Sequence, residues 1–197
     1  MAREMTSTAE ARRATVVASA IHVFAASGYL GTPITAVAEH AGISPAYVFK
    51  LFPGKKQLFV AALDRCFELI REALADGAEA ASSAGAEDVL DAMGGAYADL
   101  IGDRDLLMLQ VHALSAADVP EIREAMRRGT AGITRFATAR SGGSARQVQR
   151  FLATGQLCHL VTMLDLDQVD QSWARTLDLG IRHAAPALSG ETGEGMD

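Results

Sequence analysis

The sequence predicts an all-α fold, a small N-terminal head of three helices on a larger helical body. Apolar residues recur at helical spacing in successive windows, and no window shows a sustained period-2 alternation rich in β-branched residues. Cap residues, prolines and glycines stand where those helical runs begin and end. With 197 residues, 49% of them hydrophobic, the chain can close a core, which excludes disorder as its main state.

The first helix opens at Ser7-Thr8-Ala9-Glu10, a capping-box pattern, and presents Val17, Ala20, Ile21 and Phe24 on one face. Gly28 follows as the residue beyond its end, so the helix is expected over 8–27. Thr32 is placed to N-cap a second helix whose first residue is Pro33, where a missing N–H costs nothing. Ile34, Val37, Ala38 and Ala41 keep one face, and Gly42 stops it. Ser44 and Pro45 repeat the cap-then-proline start, Val48 and Phe52 point inward, and Pro53 disfavours the α conformation at its predecessor. The result is two short helices separated by a three-residue turn. A fourth helix begins near Gly54 and carries Phe59, Ala62, Leu63, Cys66, Phe67, Ile70 and Leu74 at helical spacing to an end near Gly77.

Asp76 to Asp88 has no apolar period and reads as a loose connection. Leu90, Met93, Tyr97, Leu100 and Ile101 then mark an amphipathic helix, while Leu106 to Leu114 is apolar almost all round, as in a helix enclosed by others. Asp118 to Glu121 is a second capping-box pattern, with Pro120 in the first turn, leading into Ile122, Met126, Gly129, Ile133 and Phe136. After the turn Ser141-Gly142-Gly143-Ser144 come a long helix through Val148, Phe151, Leu152, Cys158, Val161 and Leu164, and a last one through Trp173, Leu177 and Ile181, stopped near Pro186. Residues from Ser189 onward are expected to be disordered. The domains so defined are 1–55, 56–188 and a tail over 189–197.

The formal net charge of −6 is unevenly distributed. Residues 1–60 hold six Lys/Arg against three Glu, a net +3, which leaves −9 for the remainder. All three lysines fall between Lys50 and Lys56, so positive potential is concentrated where a phosphate would be met. A solvated basic face is the plainer reading of the same residues. Cys66 and Cys158 lie far apart in apolar stretches and fit reduced, buried thiols of a cytoplasmic protein. No run approaches the roughly 18 consecutive apolar residues of a membrane span. Arg12-Arg13 before the run Ala14 to Ala26 imitates a signal peptide, but Glu4, Glu10 and His22 stand against it.

Two short helices and a tight turn have the form of a helix-turn-helix, in which the second helix enters the major groove. With Val48 and Phe52 inward, Pro45, Ala46, Tyr47, Lys50 and Leu51 face out, offering a small residue, a phenol, a cation and methyl groups to base edges and phosphates. Lys55 and Lys56 stand at the next helix's N-terminus, where free N–H groups and the dipole already favour an anion. Arg12 and Arg13 are candidates to extend the backbone contact.

Residues 12–63 resemble the N-terminal domain of the TetR repressor family. The resemblance rests on Phe24-Ala25-Ala26-Ser27-Gly28-Tyr29, Thr32, Val37-Ala38, Ala41-Gly42-Ile43-Ser44 and Val48-Phe49-Lys50-Leu51-Phe52-Pro53-Gly54-Lys55-Lys56-Gln57-Leu58. It implies a DNA-binding helix-turn-helix domain followed by a helical bundle for ligand binding and dimerisation. It also implies phosphate contacts near Thr32, Ser44 and Lys55, and base readout from Ala46, Tyr47 and Lys50. The chain departs from the family at Phe49, where Tyr is usual, and at Leu51, where His or another aromatic or polar residue is common.

The body resembles the family in architecture alone, so its sites are read from residue type. Met93, Tyr97, Met108, His112, Met126, Phe136, Phe151 and Cys158 combine flexible, aromatic and sparsely polar groups suited to an uncharged or weakly polar effector, with Gly94-Gly95 removing volume beside them. Each is equally at home in a core, and His112 among Leu109, Val111 and Leu114 reads first as a hydrogen-bonded core histidine. Leu157, Leu160, Val161, Leu164, Trp173, Leu177 and Ile181 exceed what a monomer's core-facing stripe needs and are expected at a homodimer interface.

Enzyme readings find little support. Gly42-Ile43-Ser44-Pro45-Ala46 lacks the preceding strand of a nucleophile elbow. The five histidines form no metal-ligand pattern, and no glycine loop cradles phosphate, so no catalytic residue, metal or cofactor is expected. The chain reads as a regulator, most simply a repressor released from a near-palindromic double-stranded operator by a small molecule. The alternative is a helical protein-interaction module that has lost DNA binding.

Overall fold

The computed structural model describes residues 2–82 and 85–182, with side chains from residue 9 onward. Among the described residues every regular element is helical: α1 (Ala2–Gly31), α2 (Ile34–His40), α3 (Pro45–Leu51), α4 (Lys55–Ala80), α5 (Ala86–Ile101), α6 (Arg104–Ser115), α7 (Pro120–Ser141), α8 (Ala145–Met163), a 3₁₀ turn (Leu166–Gln168) and α9 (Ser172–Asp178). The Ser7–Glu10 capping box, the stop near Pro186 and the tail over 189–197 lie outside the described side chains or residues.

The head's core is closed by α1, which turns Val16, Ala20 and Phe24 inward against Val37, Val48 and Phe52. Its helical path breaks at Gly28 (φ 70°, ψ 177°), one residue past the expected end, before a last turn reaches Gly31. No run of consecutive apolar residues reaches that length, but by length and composition alone Ala9–Gly31 is long and apolar enough to cross a membrane, with a mean hydropathy of 1.4. Its apolar stripe is the same stripe that closes the head.

Punctuation works as expected at the turn between α2 and α3. Gly42 adopts φ 66°, Ser44 Oγ accepts the Tyr47 N–H at 3.3 Å, and Pro45 occupies the first position of α3. Thr32 corrects the reading, because it does not cap α2. It is 1% exposed, and its hydroxyl donates to the Val23 carbonyl at 3.3 Å, pinning the chain after α1 to the helix it has left. Asp118 is likewise not a cap: α7 starts from Val119 with Pro120 first, and Glu121 reaches across to Lys56 instead of closing a box.

The largest revision concerns the expected loose connection. Helix α4 continues to Ala80, because Gly77 is a point of close approach and not a stop. A Cβ at Gly77 would lie 2.7 Å from the Ala92 carbonyl oxygen and 2.9 Å from Met93 Cα, so hydrogen alone lets α5 cross here. Around this crossing α4 packs on α5 and α7, α8 covers α5 and α7, and α9 rests on α8 and the 3₁₀ turn. The last helix is shorter than expected: it ends at Asp178, and Gly180 (φ 77°) turns Ile181 back toward the body.

Two glycines in helices therefore have opposite roles. Gly77→Ala is expected to lower stability by roughly 1–3 kcal/mol, because rigid backbone must yield. Gly132→Ala, where a Cβ meets nothing within 4 Å, is expected to raise it by about 0.5–1 kcal/mol through helix propensity. Chemical denaturation of the two variants beside the parent checks both signs.

Candidate nucleic-acid interface and body cavity

The α2–turn–α3 unit exposes Ser44, Pro45, Ala46, Phe49 and Lys50, with Tyr47 and Leu51 half-buried at its margins. Phe49 is 51% exposed, so the position carries an aromatic ring into solvent without a hydroxyl. The Arg12 guanidinium lies 5.6 Å from the centre of the Tyr47 ring. Arg13, expected to meet a phosphate, is committed internally: it donates to the Leu51 carbonyl at 2.8 Å and stacks 4.0 Å from the centre of Phe52. It satisfies an orphan carbonyl at the end of α3 and ties that helix to α1.

The lysines divide similarly. Lys55 donates to the Leu30 carbonyl at 3.3 Å and sits 5.0 Å over the Tyr29 ring, while Lys56 pairs with Glu121 at 2.5 Å. That contact holds the Lys56 ammonium above its usual range and the Glu121 carboxyl below its own. Both lysines remain beside the first turn of α4, whose free N–H groups favour an anion. Lys50 makes no ion pair or hydrogen bond among the described residues. Thr32 is withdrawn from this face, because its hydroxyl is sealed beneath it.

In the body, α4 to α8 and residues 179–182 line a partly open cavity of about 640 Å³. Of the expected effector contacts, Tyr97, Met126, Phe151 and Cys158 line it, whereas Met93, Met108, His112 and Phe136 do not. Met93 is fully buried at the Gly77 crossing. His112 instead packs under Gly28 of the head: a Cβ on Gly28 would lie 2.8 Å from its Nδ1, and its Nε2 is buried without a hydrogen-bond partner. The expected hydrogen-bonded core histidine is thus a packed one whose second nitrogen is orphaned.

Residue type points to Tyr97 in the sequence, but not to its two polar partners in the cavity wall, Gln110 and His159. The Tyr97 hydroxyl lies 2.5 Å from His159 Nε2, and Gln110 Nε2 donates to the Leu106 carbonyl at 3.1 Å and toward the Tyr97 oxygen at 3.4 Å. All three side chains are at least nine-tenths buried. Burial raises the pKa of Tyr97 and lowers that of His159, so both are neutral at pH 7. It also pushes the Cys66 thiol up to about 12, which removes it from thiolate chemistry. A polar residue on an otherwise apolar helix face, as at Gln110 and His159, was the available signal. Among the described residues no group of three His, Cys, Asp or Glu side chains is placed to hold a metal.

The expected dimer residues also separate. Leu160, Leu164 and Trp173 are 45–57% exposed, while Val161 is fully buried against Leu166 and Ala174 and is withdrawn from that role. Leu157, Leu177 and Ile181 pack partly against the same small cluster, and Ile181 also lines the cavity.

Residues 16–62 match the family described as bacterial regulatory proteins, tetR family. Solved structures similar to most of the chain include one described as a TetR-family transcriptional regulator from Mesorhizobium loti MAFF303099, at 18% identity and TM-score 0.63, covering 88% of this chain and 94% of that one. Another is the transcriptional regulator FadR from Bacillus subtilis in complex with stearoyl-CoA, at 16% identity and TM-score 0.64, covering 87% and 98%. A third is the multidrug binding protein EbrR complexed with imidazole, at 23% identity and TM-score 0.61, covering 89% and 97%. At these identities the likeness is one of fold. No curated protein sequence matches the chain.

The neutral His159 sets a pH dependence. Its folded pKa lies below the unfolded value, so the unfolded chain binds more protons as the medium acidifies. Stability from this group is complete above the ordinary histidine pKa of about 6.5 and is lost as pH falls through the folded value. His159→Gln, which can still accept the Tyr97 proton, is expected to flatten the fall in unfolding free energy between about pH 7 and 5. Denaturation of both proteins across that range measures it.

Proposed function

Because residues 16–62 carry the DNA-binding head of the tetR family of bacterial regulatory proteins, on a chain with the fold of TetR-family regulators, we propose that it is a ligand-responsive repressor. In this reading it works in the cytoplasm as a homodimer on a near-palindromic operator, from which a small molecule in the body cavity releases it. The observation that carries the reading is the reach of α4. One helix begins with Lys55 and Lys56 just after α3, the groove-reading helix of this proposal, and places Phe67, Ile70 and Leu74 in the cavity wall. A second link supports it: α6 contributes Gln110 and Leu114 to that wall and seats His112 beneath Gly28 of α1.

A ligand loosens DNA only by favouring a form whose two α3 helices no longer match successive major grooves. A coupling of about 1–3 kcal/mol would change operator affinity roughly 5–150-fold, and operator DNA would weaken ligand binding by the same factor. Relatives whose descriptions name bound molecules, stearoyl-CoA for FadR and imidazole for EbrR, support a ligand-taking body.

Genomic fragments enriched on the protein and titrated by fluorescence anisotropy test DNA binding. Lys50→Ala is expected to weaken every fragment and lower the salt slope by about 1, whereas Tyr47→Ala should also change which fragments are preferred. Salt-independent binding, or equal affinity for any polyanion, favours the alternative of an interaction module without DNA readout. The inward Thr32, the absent hydroxyl at Phe49 and the Lys56–Glu121 pair are the observations on that side.

Exposed Leu160, Leu164 and Trp173 support a dimer interface of α8 and α9 from each protomer. Sedimentation velocity at micromolar concentration should show a dimer, and Leu164→Glu, which keeps the monomer's core intact, should shift it to monomer. A monomeric parent protein overturns this part of the reading.

A further inference from the structure

Resting on the reading of the cavity as the effector site, we propose that its ligand is electrically neutral, mostly apolar, and presents a hydrogen-bond acceptor such as a ketone, ester or amide carbonyl to the Nδ1–H of His159. The chemistry follows from where one phenolic proton can go. Gln110 Nε2 is fixed as a donor by the Leu106 carbonyl, so it can only give an N–H toward the Tyr97 oxygen. The Tyr97 proton therefore needs another acceptor, and His159 Nε2 at 2.5 Å is the atom in place. With Nε2 accepting, the proton of the neutral imidazole resides on Nδ1.

Among the described residues Nδ1 of His159 has no partner, and the nitrogen sealed away without one is His112 Nε2, not this atom. His159 lines the cavity and its Nδ1 is not sealed as His112 Nε2 is, so the Nδ1–H is a donor of fixed direction open to a cavity ligand. Leu74, Met126, Phe151 and Cys158 line the same cavity and supply apolar wall without charge.

The formal charges of the wall lie on exposed residues. Two acids, Glu87 and Asp91, balance two arginines, Arg150 and Arg182; Glu87 stands 3.9 Å from Arg150, and the Arg182 guanidinium lies against Gly95. An ion entering past these exposed groups to the buried lining around His159 would shed water without meeting a charged side chain there. A neutral acceptor loses less water and gains a preorganised donor. Desolvation of His159, which disfavours its protonated form, acts in the same direction.

The test uses three probes with one decyl-length tail, decan-2-one, decanoate and decylammonium, titrated calorimetrically into the full chain and into His159→Phe. The ketone is expected to bind, and each ion to bind at least about tenfold more weakly; the ketone should weaken about tenfold in the variant, the worth of one lost hydrogen bond. Nitrogen-15 spectra of the histidines in the parent protein, which need no variant to fold, should report His159 as the Nδ1–H tautomer with an Nδ1 signal that moves on adding the ketone. An ion binding as tightly as the ketone, a ketone that fails to bind, or an Nε2–H tautomer overturns the proposal. A ketone that binds through His159 yet leaves operator affinity unchanged upholds the ligand chemistry and overturns the effector reading, so the two fail separately.

Discussion

The fold depends on one aromatic side chain being shared. Phe59 leaves the second turn of α4 fully buried, with its ring centre 4.8 Å from Phe24 and 5.2 Å from Tyr29, both edge-on. Those partners belong to α1, so the head has no core independent of α4. Aromatic pairs in this geometry are worth about 0.5–1.5 kcal/mol beyond the area they bury. The direction matters as much as the energy, since edge contacts set the angle at which α1 crosses α4. The same helix then runs through Leu63, Cys66 and Ile70 into the body's core, which is continuous with the head's. A boundary drawn at residue 55 thus falls where the chain has no gap in packing.

Much of the head was legible because its signals are local. Ser44 caps α3, Pro45 opens it and Gly42 turns before it, and each is decided by backbone chemistry within a few residues. Where a residue's role depends on a distant element, the same vocabulary misleads. Gly77 has the look of a helix end, yet it is glycine because the Ala92 carbonyl of another helix lies against it. Thr32 has a cap's side chain but spends its hydroxyl on Val23. Tyr97, Gln110 and His159 come from three helices, and helical periodicity places each on a face without saying which faces meet. Residue type alone points to Tyr97 and leaves its two partners unmarked.

Electrostatics in the head is mostly consumed in building it. Arg13 closes the end of α3, Lys55 holds the Leu30 carbonyl, and Lys56 bridges to α7. The basic cluster therefore shapes the surface that a polyanion would meet, and Lys50 stands out as the lysine on α3 with no internal commitment among the described residues. The Lys56–Glu121 pair is exposed, so a phosphate at the start of α4 competes with a carboxylate for that ammonium, and screening by salt acts on both contacts alike.

The junction of Gly28 with His112 has a consequence for how the chain can drift. Gly28 is constrained twice, by a positive φ that costs any other residue about 1–3 kcal/mol and by the imidazole occupying the space of a Cβ. Shrinking His112 would lift the second constraint and leave the first untouched. The two positions are therefore coupled in one direction: His112 can be replaced by smaller residues while Gly28 stays, but no change at His112 licenses a side chain at Gly28. The body's half of the contact is therefore the side that a substitution can alter, with the head's half locked by its own backbone.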